Sequence, residues 1–278
     1  MTQYSGRVAW VTGASSGIGR AVAMALAADG AALILSGRRA DALAQTAAAI
    51  GAAGGAQSLI LPFDTTDLAQ LADVVARAAA WRGGIDILVN NAGISQRSLA
   101  VDTAPAVYDA VIAADLLAPI HLTQHCLPHL TSQRDGRGGA AIINISSVAG
   151  RAGVPLRTAY CAAKHGLIGY MDALRAETQL AYGLHVLNIL PGSVATDVAR
   201  NALTGAGQKQ GHSDPQIDDG IAPHDCAAAI IAALKSGVNE LIVAQGIEAE
   251  IARLRQADAD ALFDLTAKLG ARMAAQAG

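Results

Sequence analysis

The sequence predicts an α/β fold: a single domain built on a doubly wound parallel sheet of about seven strands. Three observations lead to this prediction. Short aliphatic runs alternate with alanine-rich stretches of helical spacing along most of the 278 residues. Several of the runs show no polar alternation, which is typical of strands buried on both faces. A glycine-rich turn follows the first run and leads directly into a helical stretch.

The predicted strands are seven aliphatic runs, each separated from the next by a helical stretch. They cover residues 7–12, 32–36, 58–61, 85–90, 140–145, 185–190 and 240–243. Right-handed crossovers between parallel strands place all their carboxyl ends along one rim of the sheet. Ligands bind at that rim in open α/β sheets.

Composition excludes several classes of function. Hydrophobic residues make up 52% of the chain and charged residues 15%, which is ample for a core on both faces of a sheet. The formal net charge of −3 gives no electrostatic footprint for nucleic acid or an anionic membrane. Apolar runs are interrupted before the length of a membrane span, and no secretory signal opens the chain. Three scattered cysteines suit reduced thiols, so we expect a cytoplasmic protein.

Two segments depart from the alternating pattern. Residues 194–223 are rich in Gly, Gln and other polar residues, and the position of this segment after the sixth strand favours a substrate lid over a plain surface loop. Residues 247–278 form a predicted helical extension beyond a catalytic domain of residues 1–246. This extension could pack on its own sheet, a partner subunit or a lipid surface, and its mixed charges favour the first two.

The glycine-rich turn T-G-A-S-S-G-I-G runs from Thr12 to Gly19 and predicts a Rossmann-type dinucleotide site. Gly13 permits the tight turn, Gly17 lets the backbone approach a pyrophosphate, and Gly19 lets the helix sit close to the sheet. The helix N-terminus offers free N–H groups to the phosphates. The binding residues predicted in this turn are Gly13, Ser15, Ser16, Gly17, Ile18 and Gly19.

The end of the second strand indicates which dinucleotide binds. NAD-binding folds usually place a carboxylate there for the ribose hydroxyls. Here Gly37 holds that place, and Arg38 and Arg39 follow it. Two arginines at a solvated helix N-terminus would oppose the helix dipole, whereas a bound 2′-phosphate would explain them. We therefore predict NADP(H) over NAD(H).

Tyr160 and Lys164 form a predicted catalytic pair. Positions i and i+4 share one helix face, so the lysine ammonium can favour the phenolate of a tyrosine whose ordinary pKa is about 10. Ser147 precedes Tyr160 at the end of the fifth strand and can fix the oxygen of a substrate. The pattern Y-x-x-x-K is weak by itself and gains weight from the glycine-rich turn.

Together these blocks resemble the short-chain dehydrogenase/reductase family, in its NADP(H)-preferring branch of about 250 residues. The similarity covers roughly residues 8–243. It rests on the glycine-rich turn, N-N-A-G at 90–93, the Ser147, Tyr160 and Lys164 set, and P-G-S-V-A-T at 191–196. The resemblance implies interconversion of a ketone or aldehyde and an alcohol by hydride transfer. It also implies a homodimer or homotetramer built on helices 103–130 and 158–182.

Residue roles follow from the resemblance. Tyr160 would transfer the proton, Lys164 would also hold the nicotinamide ribose, and Ser147 would polarise the carbonyl. Asp64 and Thr65 would lie by the adenine, and Asn91 would stabilise the central strand. The residues implied to line the rest of the coenzyme site are Ala92, Gly93, Pro191, Gly192, Val194 and Thr196.

Asp115 departs from the family pattern, which commonly has an asparagine at this place to relay protons towards the lysine. If that role depends on a backbone carbonyl exposed by a helix kink, aspartate can serve it. If it needs a side-chain amide, the relay is weakened or the pH profile shifts. We retain Asp115 as a relay-position residue. Two alternatives to a carbonyl/alcohol oxidoreductase stay open. If Asp115 prevents turnover, the chain is a dinucleotide-binding regulatory protein. An epimerase or dehydratase on the same fold is the other alternative.

Other polar groups are weaker candidates. His121, His125 and His129 recur at helical spacing beside Cys126, but the glutamate of a zinc-binding helix motif is missing, so we predict no metal site. Arg97 lies in the segment 94–99, which we expect to line the pocket with the lid. We favour a solvated Arg97 over one that binds an anionic substrate. The substrate itself is a small carbonyl or alcohol that the sequence does not define further.

Overall fold

Seven parallel strands form one sheet in the order β3-β2-β1-β4-β5-β6-β7 in the computed structural model, which describes residues 3–132 and 139–277. The α/β fold predicted from the sequence is therefore confirmed. Predicted and observed strand ends differ by at most two residues. The strands are β1 Val8–Thr12, β2 Ala32–Ser36, β3 Ser58–Ile60, β4 Ile87–Asn90, β5 Ala141–Ile145, β6 His185–Pro191 and β7 Glu240–Val243.

Helices cover both faces of the sheet because successive strand side chains point to opposite sides. In β1, Ala9 and Val11 join a core with α1, α2 and α8, while Val8 and Trp10 join a core with α3, α5 and α6. The helices are α1 Gly17–Ala28, α2 Ala40–Ala52, α3 Leu71–Ala80, α4 Pro105–Ile112, α5 Ala118–Leu130, α6 Thr158–Tyr182, α7 Pro215–Asp218, α8 Pro223–Ser236, α9 Gly246–Ala257 and α10 Ala259–Ala277.

One row of buried amides crosses the middle of the sheet. Asn90, Asn144 and Asn188 are register partners on β4, β5 and β6. The Asn144 amide donates to Asn188 Oδ1 at 2.9 Å, and Asn90 donates to Thr123 Oγ1 at 2.9 Å. Asn188 in turn donates to Asp172 Oδ1 at 3.0 Å. Asn90 is the last residue of β4, so this end of the row lies directly beneath the rim where the motifs gather.

Helices α4 and α5 are continuous through a π-helical turn at Ala113–Leu117. Such turns are rare in α-helices and occur mostly at functional sites. Among the residues that the structure describes, 105–130 is the one helix long and apolar enough to cross a membrane by length and composition. Core helices of soluble proteins pass the same test, so the expected absence of a membrane span stays a prediction.

The C-terminal helices pack on their own chain. Ile251 of α9 and Leu262 of α10 form a small core with Val148 and Ala152, which follow β5. Phe263 on the outer side of α10 remains 56% exposed. The division into a catalytic domain of residues 1–246 and an extension of residues 247–278 stays a prediction.

Candidate active site

Tyr160 and Lys164 lie in the first two turns of α6, which begins at Thr158. The residue before this helix, Arg157, provides no side-chain cap. Instead, Gln96 Oε1 accepts a hydrogen bond from the Ala159 N–H at 3.1 Å. Because Gln96 is fully buried, it fixes the start of the helix that carries both residues.

Lys164 brings a buried ammonium group under the tyrosine. The residue is 4% exposed, and its Nζ lies 5.5 Å from the centre of the Tyr160 ring. Nζ also donates to the carbonyl oxygen of Ile145 at 3.2 Å and lies 3.1 Å from Asp115 Oδ2. The lysine is therefore held by a carboxylate from the turn between α4 and α5 and by the carbonyl at the end of β5.

Asp115 sits inside the π-helical turn and is 1% exposed. Its second oxygen, Oδ1, accepts the Ile94 N–H at 2.7 Å, so one carboxylate joins Lys164 to the loop after β4. Burial raises the pKa of Asp115, while Lys164 and the Ile94 N–H oppose that rise. Burial lowers the pKa of Lys164, but the charges of Asp115 and Tyr160 outweigh it and the pKa is raised overall.

The side chain of Asp115 thus makes the contacts, in addition to any backbone role. The sequence analysis considered a backbone-carbonyl role and a side-chain-amide role for this position. The structure shows a third feature, a direct ion pair with Lys164. An asparagine there would offer no charge to the ammonium.

Ser147 lies at the end of β5 and caps the short 3₁₀ turn Val148–Gly150. Its Oγ accepts the Ala149 N–H at 3.1 Å and donates to the Pro191 carbonyl oxygen at 3.3 Å. The hydroxyl therefore has a weak acceptor that a substrate oxygen can replace. It also connects the strand ends of β5 and β6.

The glycine-rich turn has the backbone shape that the sequence predicted for it. Gly13 and Gly17 have φ of 65° and 54°, in the left-handed region that favours glycine. A Cβ at Gly13 would lie 2.6 Å from Asn91 Nδ2, which donates to the Thr12 carbonyl oxygen at 2.9 Å. Asn91 therefore ties the glycine-rich turn to the end of β4, and its role in stabilising the central strand stays a prediction.

The same turn closely approaches the segment after β6. A Cβ at Gly17 would lie 2.9 Å from Thr196 Cγ2. On the other side, Gly93 packs against Asp115, with Oδ2 2.8 Å from an added Cβ. The structure therefore brings together at one rim the blocks after β1, β4, β5 and β6 that the sequence analysis singled out.

The remaining predicted coenzyme residues lie around this rim. Ser16 is exposed at the N-cap of α1 without a side-chain hydrogen bond, and Ile18 packs against the core. The Ala92 N–H donates to Thr12 Oγ1 at 3.1 Å, and Val194 bridges to Ile221. Ser15 lies within the turn and Gly19 in the first turn of α1, while Thr65 follows β3, Pro191 ends β6 and Gly192 follows it.

The end of β2 leaves room for a carboxylate but carries none. A Cβ at Gly37 would make only ordinary contacts, 3.7 Å from Ser15 Oγ and 3.7 Å from Leu43 Cδ2. Arg38 and Arg39 are both exposed there. Asp64 accepts hydrogen bonds from Thr66, which together with the Arg38 charge overcome the effect of burial and lower its pKa.

The predicted lid, residues 194–223, is anchored more firmly than its polar composition suggested. Leu203 forms a bridge with Gln96 and packs in the apolar cluster that contains Tyr160. Arg97 forms an ion pair with Asp214, and the two side chains are 27% and 12% exposed. Our reading of Arg97 as a solvated side chain was therefore wrong, because an acidic partner lay far along the chain.

Three residues with structural influence on the site escaped the sequence analysis: Gln96, Asp214 and Glu248. Glu248 of α9 accepts two hydrogen bonds from Ser193, beside the predicted coenzyme segment. None of the three belongs to a recognisable local motif, since each acts on a segment distant in sequence. The one available signal is the place of Glu248 in the first turn of α9, where an acidic residue is stabilised by the helix dipole.

No cluster of three metal-ligating side chains occurs within residues 3–132 and 139–277. In the histidine-rich stretch, Cys126 is fully buried while His125 is exposed, so these two side chains do not converge. The expected absence of a metal site stays a prediction.

Known proteins were compared with this fold and site. The model of the short chain dehydrogenase family matches residues 7–206. Dehydrogenase/reductase SDR family member 7B of Bos taurus is 34% identical over 92% of this chain and 79% of its own length. A short chain dehydrogenase/reductase from Burkholderia phymatum in complex with NAD has a TM-score of 0.81 at 25% identity, covering 94% and 96% of the two chains.

A short chain dehydrogenase from Burkholderia cenocepacia J2315 in complex with NADP has a TM-score of 0.75 at 28% identity, covering 88% of this chain and 98% of its own. Structural neighbours thus bind either NAD or NADP. The family model and the sequence relatives show that the chain belongs to the short-chain dehydrogenase/reductase family of oxidoreductases.

Proposed function

We propose that this oxidoreductase interconverts a ketone or aldehyde and an alcohol with NADP(H), and that Tyr160 is its general acid and base. The observation that carries the proposal is the buried Lys164 ammonium 5.5 Å from the Tyr160 ring, beside the glycine-rich turn. A cation at this place stabilises a phenolate, which makes proton exchange with a substrate oxygen feasible near neutral pH.

The residues at the rim fit a dinucleotide. The positive φ of Gly13 and Gly17 lets the backbone approach phosphates, and the first turn of α1 holds no acidic residue that would repel them. Thr196 and Gly192 border the place where the family resemblance puts the nicotinamide. When bound, the coenzyme supplies or accepts the hydride.

Preference for NADP(H) is supported by the end of β2. Gly37 leaves the ribose 2′ position without a carboxylate, although the backbone there has space for one. The exposed guanidinium groups of Arg38 and Arg39 can form charge-assisted hydrogen bonds with a 2′-phosphate.

In reduction, the Ser147 hydroxyl would leave the Pro191 carbonyl oxygen and donate to the substrate carbonyl. The Tyr160 hydroxyl would give its proton to the same oxygen as negative charge develops there. Lys164, held by Asp115 and Ile145, stabilises the resulting phenolate. The reverse sequence removes the proton from an alcohol.

Consumption of NADPH with a panel of ketones and aldehydes tests the proposal. We expect steady turnover that falls by about 10²–10⁴ in Tyr160→Phe, while coenzyme binding is retained. A KM for NADH at or below that for NADPH would refute the coenzyme assignment. Tyr108→Phe is a matched control, since the Tyr108 hydroxyl bonds only to Thr158 Oγ1 at 2.9 Å among the described contacts.

Binding without consumption would favour the second candidate, a dinucleotide-binding protein with little turnover. The observation behind this alternative is Asp115 at the relay position, paired directly with Lys164. A coenzyme that is recycled instead of consumed would indicate an epimerase or dehydratase. We further propose a cytoplasmic enzyme that does not span a membrane and acts as a homodimer or homotetramer, as the composition and the resemblance imply.

A further inference from the structure

We propose that Glu248 of α9 is a positioning residue of the coenzyme site. It holds the backbone of Gly192, Ser193 and Val194 in place. Helix α9 would then contribute to coenzyme binding as well as to packing. The inference rests on the proposed function only for the role given to that backbone, which the resemblance places beside the nicotinamide.

One carboxylate uses both hydrogen-bond donors of Ser193. Glu248 Oε2 accepts the Ser193 N–H, and Oε1 accepts the Ser193 hydroxyl at 2.9 Å. Ser193 is 4% exposed, so water does not compete strongly for these donors. Two bonds from one rigid carboxylate fix the orientation of the peptide as well as its position.

Gly192 is shaped to receive this carboxylate. A Cβ at Gly192 would lie against Glu248 Oε2 and 3.1 Å from the Cβ of Ala244. The Gly192 N–H meanwhile donates to the Val243 carbonyl oxygen at 2.9 Å. The chain at this point is held between β7 on one side and α9 on the other.

The next residues form the stem of the lid. The Ile221 N–H donates to the Ser193 carbonyl oxygen at 3.0 Å, and the Ala195 N–H donates to the Ile221 carbonyl oxygen at 3.0 Å. Gln245, which precedes α9, donates from Nε2 to the Asp219 carbonyl oxygen at 3.4 Å. Gln245 therefore contacts the lid near its C-terminal end, and Glu248 holds Ser193, the residue that directly precedes the lid.

The helix itself favours an anion at this place. Glu248 stands in the first turn of α9, where the unpaired N–H groups and the dipole stabilise negative charge. An ionised carboxylate with two donors makes stronger bonds than a neutral acceptor. Loss of such bonds would change the equilibrium constant for holding the Ser193 backbone in this position by about 10–100-fold.

The test measures coenzyme dissociation by fluorescence titration in the full-length protein, together with kcat and KM. We expect Glu248→Ala to weaken coenzyme binding by about tenfold or more and to lower kcat for each coenzyme-bound molecule. Glu248→Gln keeps an acceptor for the Ser193 N–H and should stay within about threefold of the wild type. Glu250→Ala is the control, because Glu250 lies on the same helix and pairs with Arg253.

A purely structural contact gives a different result. Glu248→Ala would then lower the unfolding temperature while folded molecules bind coenzyme and turn over like the wild type, which would overturn the inference. If that variant does not fold, Ser193→Ala removes one of the two bonds and should weaken coenzyme binding about fivefold. Unchanged binding in Ser193→Ala would equally overturn the inference.

The titration separates this inference from the proposed function. It requires no turnover, and it uses whichever of NADPH and NADH the wild-type protein binds more tightly. A wild type that prefers NADH, or that consumes no coenzyme with any carbonyl, would refute the proposed function. The effect of Glu248→Ala on binding would still decide the role of Glu248.

Discussion

Lys164 is an ammonium group taken almost fully out of water, and such a charge is tolerated only with partners of good geometry. Asp115 supplies the opposite charge at 3.1 Å, and the Ile145 carbonyl supplies a further acceptor. The carboxylate gains the Ile94 N–H in return. The pair therefore costs desolvation but places a permanent cation next to the tyrosine, with its orientation set by three elements.

Asp115→Asn should shift the pH profile of kcat/KM. Asp115 raises the pKa of Lys164, so without that charge burial prevails and the pKa falls. The stability from the raised lysine pKa is present at lower pH and lost as the pH rises through that pKa. We therefore expect the alkaline limb of the profile to move to lower pH, and the free energy of unfolding to fall by about 3–5 kcal/mol.

If the alkaline limb of the kcat/KM profile does not move in Asp115→Asn, the role given to the Lys164–Asp115 ion pair is wrong. A rise in kcat of about a hundredfold or more in Asp115→Asn would mean instead that the native aspartate impairs proton relay. Asp109→Asn is the matched control, because Asp109 is exposed on α4 one turn before the π-helical segment.

At the scale of the elements, the proposed preference for NADP(H) rests on one short connection between β2 and α2. Gly37→Asp should reverse the preference from NADPH towards NADH, since the added carboxylate repels a 2′-phosphate and can accept ribose hydroxyls. We expect the ratio of kcat/KM for the two coenzymes to change by about tenfold or more. Gly51→Asp adds the same charge to an open position of α2 and should leave the ratio unchanged.

The predicted lid, residues 194–223, is joined to the segment 94–99 by one ion pair. A double-mutant cycle with Arg97→Gln and Asp214→Asn should show a coupling of about 1 kcal/mol in kcat/KM for the carbonyl, because the pair joins the lid to the pocket segment. The Asp214→Asn side chain can still cap α7, because its amide oxygen can accept the hydrogen bond from the Gln216 N–H. The same cycle on Arg200 and Asp197, an exposed pair within the lid, should show little coupling.

Additive effects of Arg97→Gln and Asp214→Asn would mean that the ion pair does not hold the lid closed during turnover. Increased cleavage by protease within residues 194–223 in the double variant would give independent support, because a released loop is more accessible.

For the whole molecule, the sheet and most of the rim could be predicted because their signals are local. A buried aliphatic run, a glycine with positive φ and an i to i+4 pair each report on a few neighbouring residues. Glu248, Asp214 and Gln96 could not be found this way. Each acts on a segment between 55 and 117 residues away, as in the Glu248–Ser193 and Arg97–Asp214 contacts.

The π-helical turn was also beyond the sequence patterns. Residues 103–130 have the composition of one regular helix, and the extra residue in its middle is invisible to a periodicity of 3.6. Position 115 was identified by comparison with the family pattern alone. Its ion pair with Lys164 became apparent only once the turn and the start of α6 were placed together.

Oligomerisation is a prediction for the whole molecule. Several large side chains on this part of the surface are substantially exposed: Leu117 in the π-helical turn before α5, and Leu180 and Tyr182 near the end of α6. We expect light scattering to show a dimer or tetramer, and Leu180→Lys to weaken it if α6 forms the contact. A monomer at micromolar concentration would refute the assembly.

The asparagine row has a consequence for how the chain reaches this structure. Parallel strands of Val, Ile and Leu can slide past one another with small loss of apolar contact, since every alignment buries similar side chains. The Asn144 amide reaches Asn188 Oδ1 in the observed alignment of β5 and β6, where the two residues are register partners. A shift of β5 by one residue would turn Asn144 to the opposite face and leave its amide without a partner in hydrocarbon. The Asn144–Asn188 bond therefore selects one alignment of β5 and β6, and that alignment sets the relative position of Ser147 and Gly192, which follow these strands.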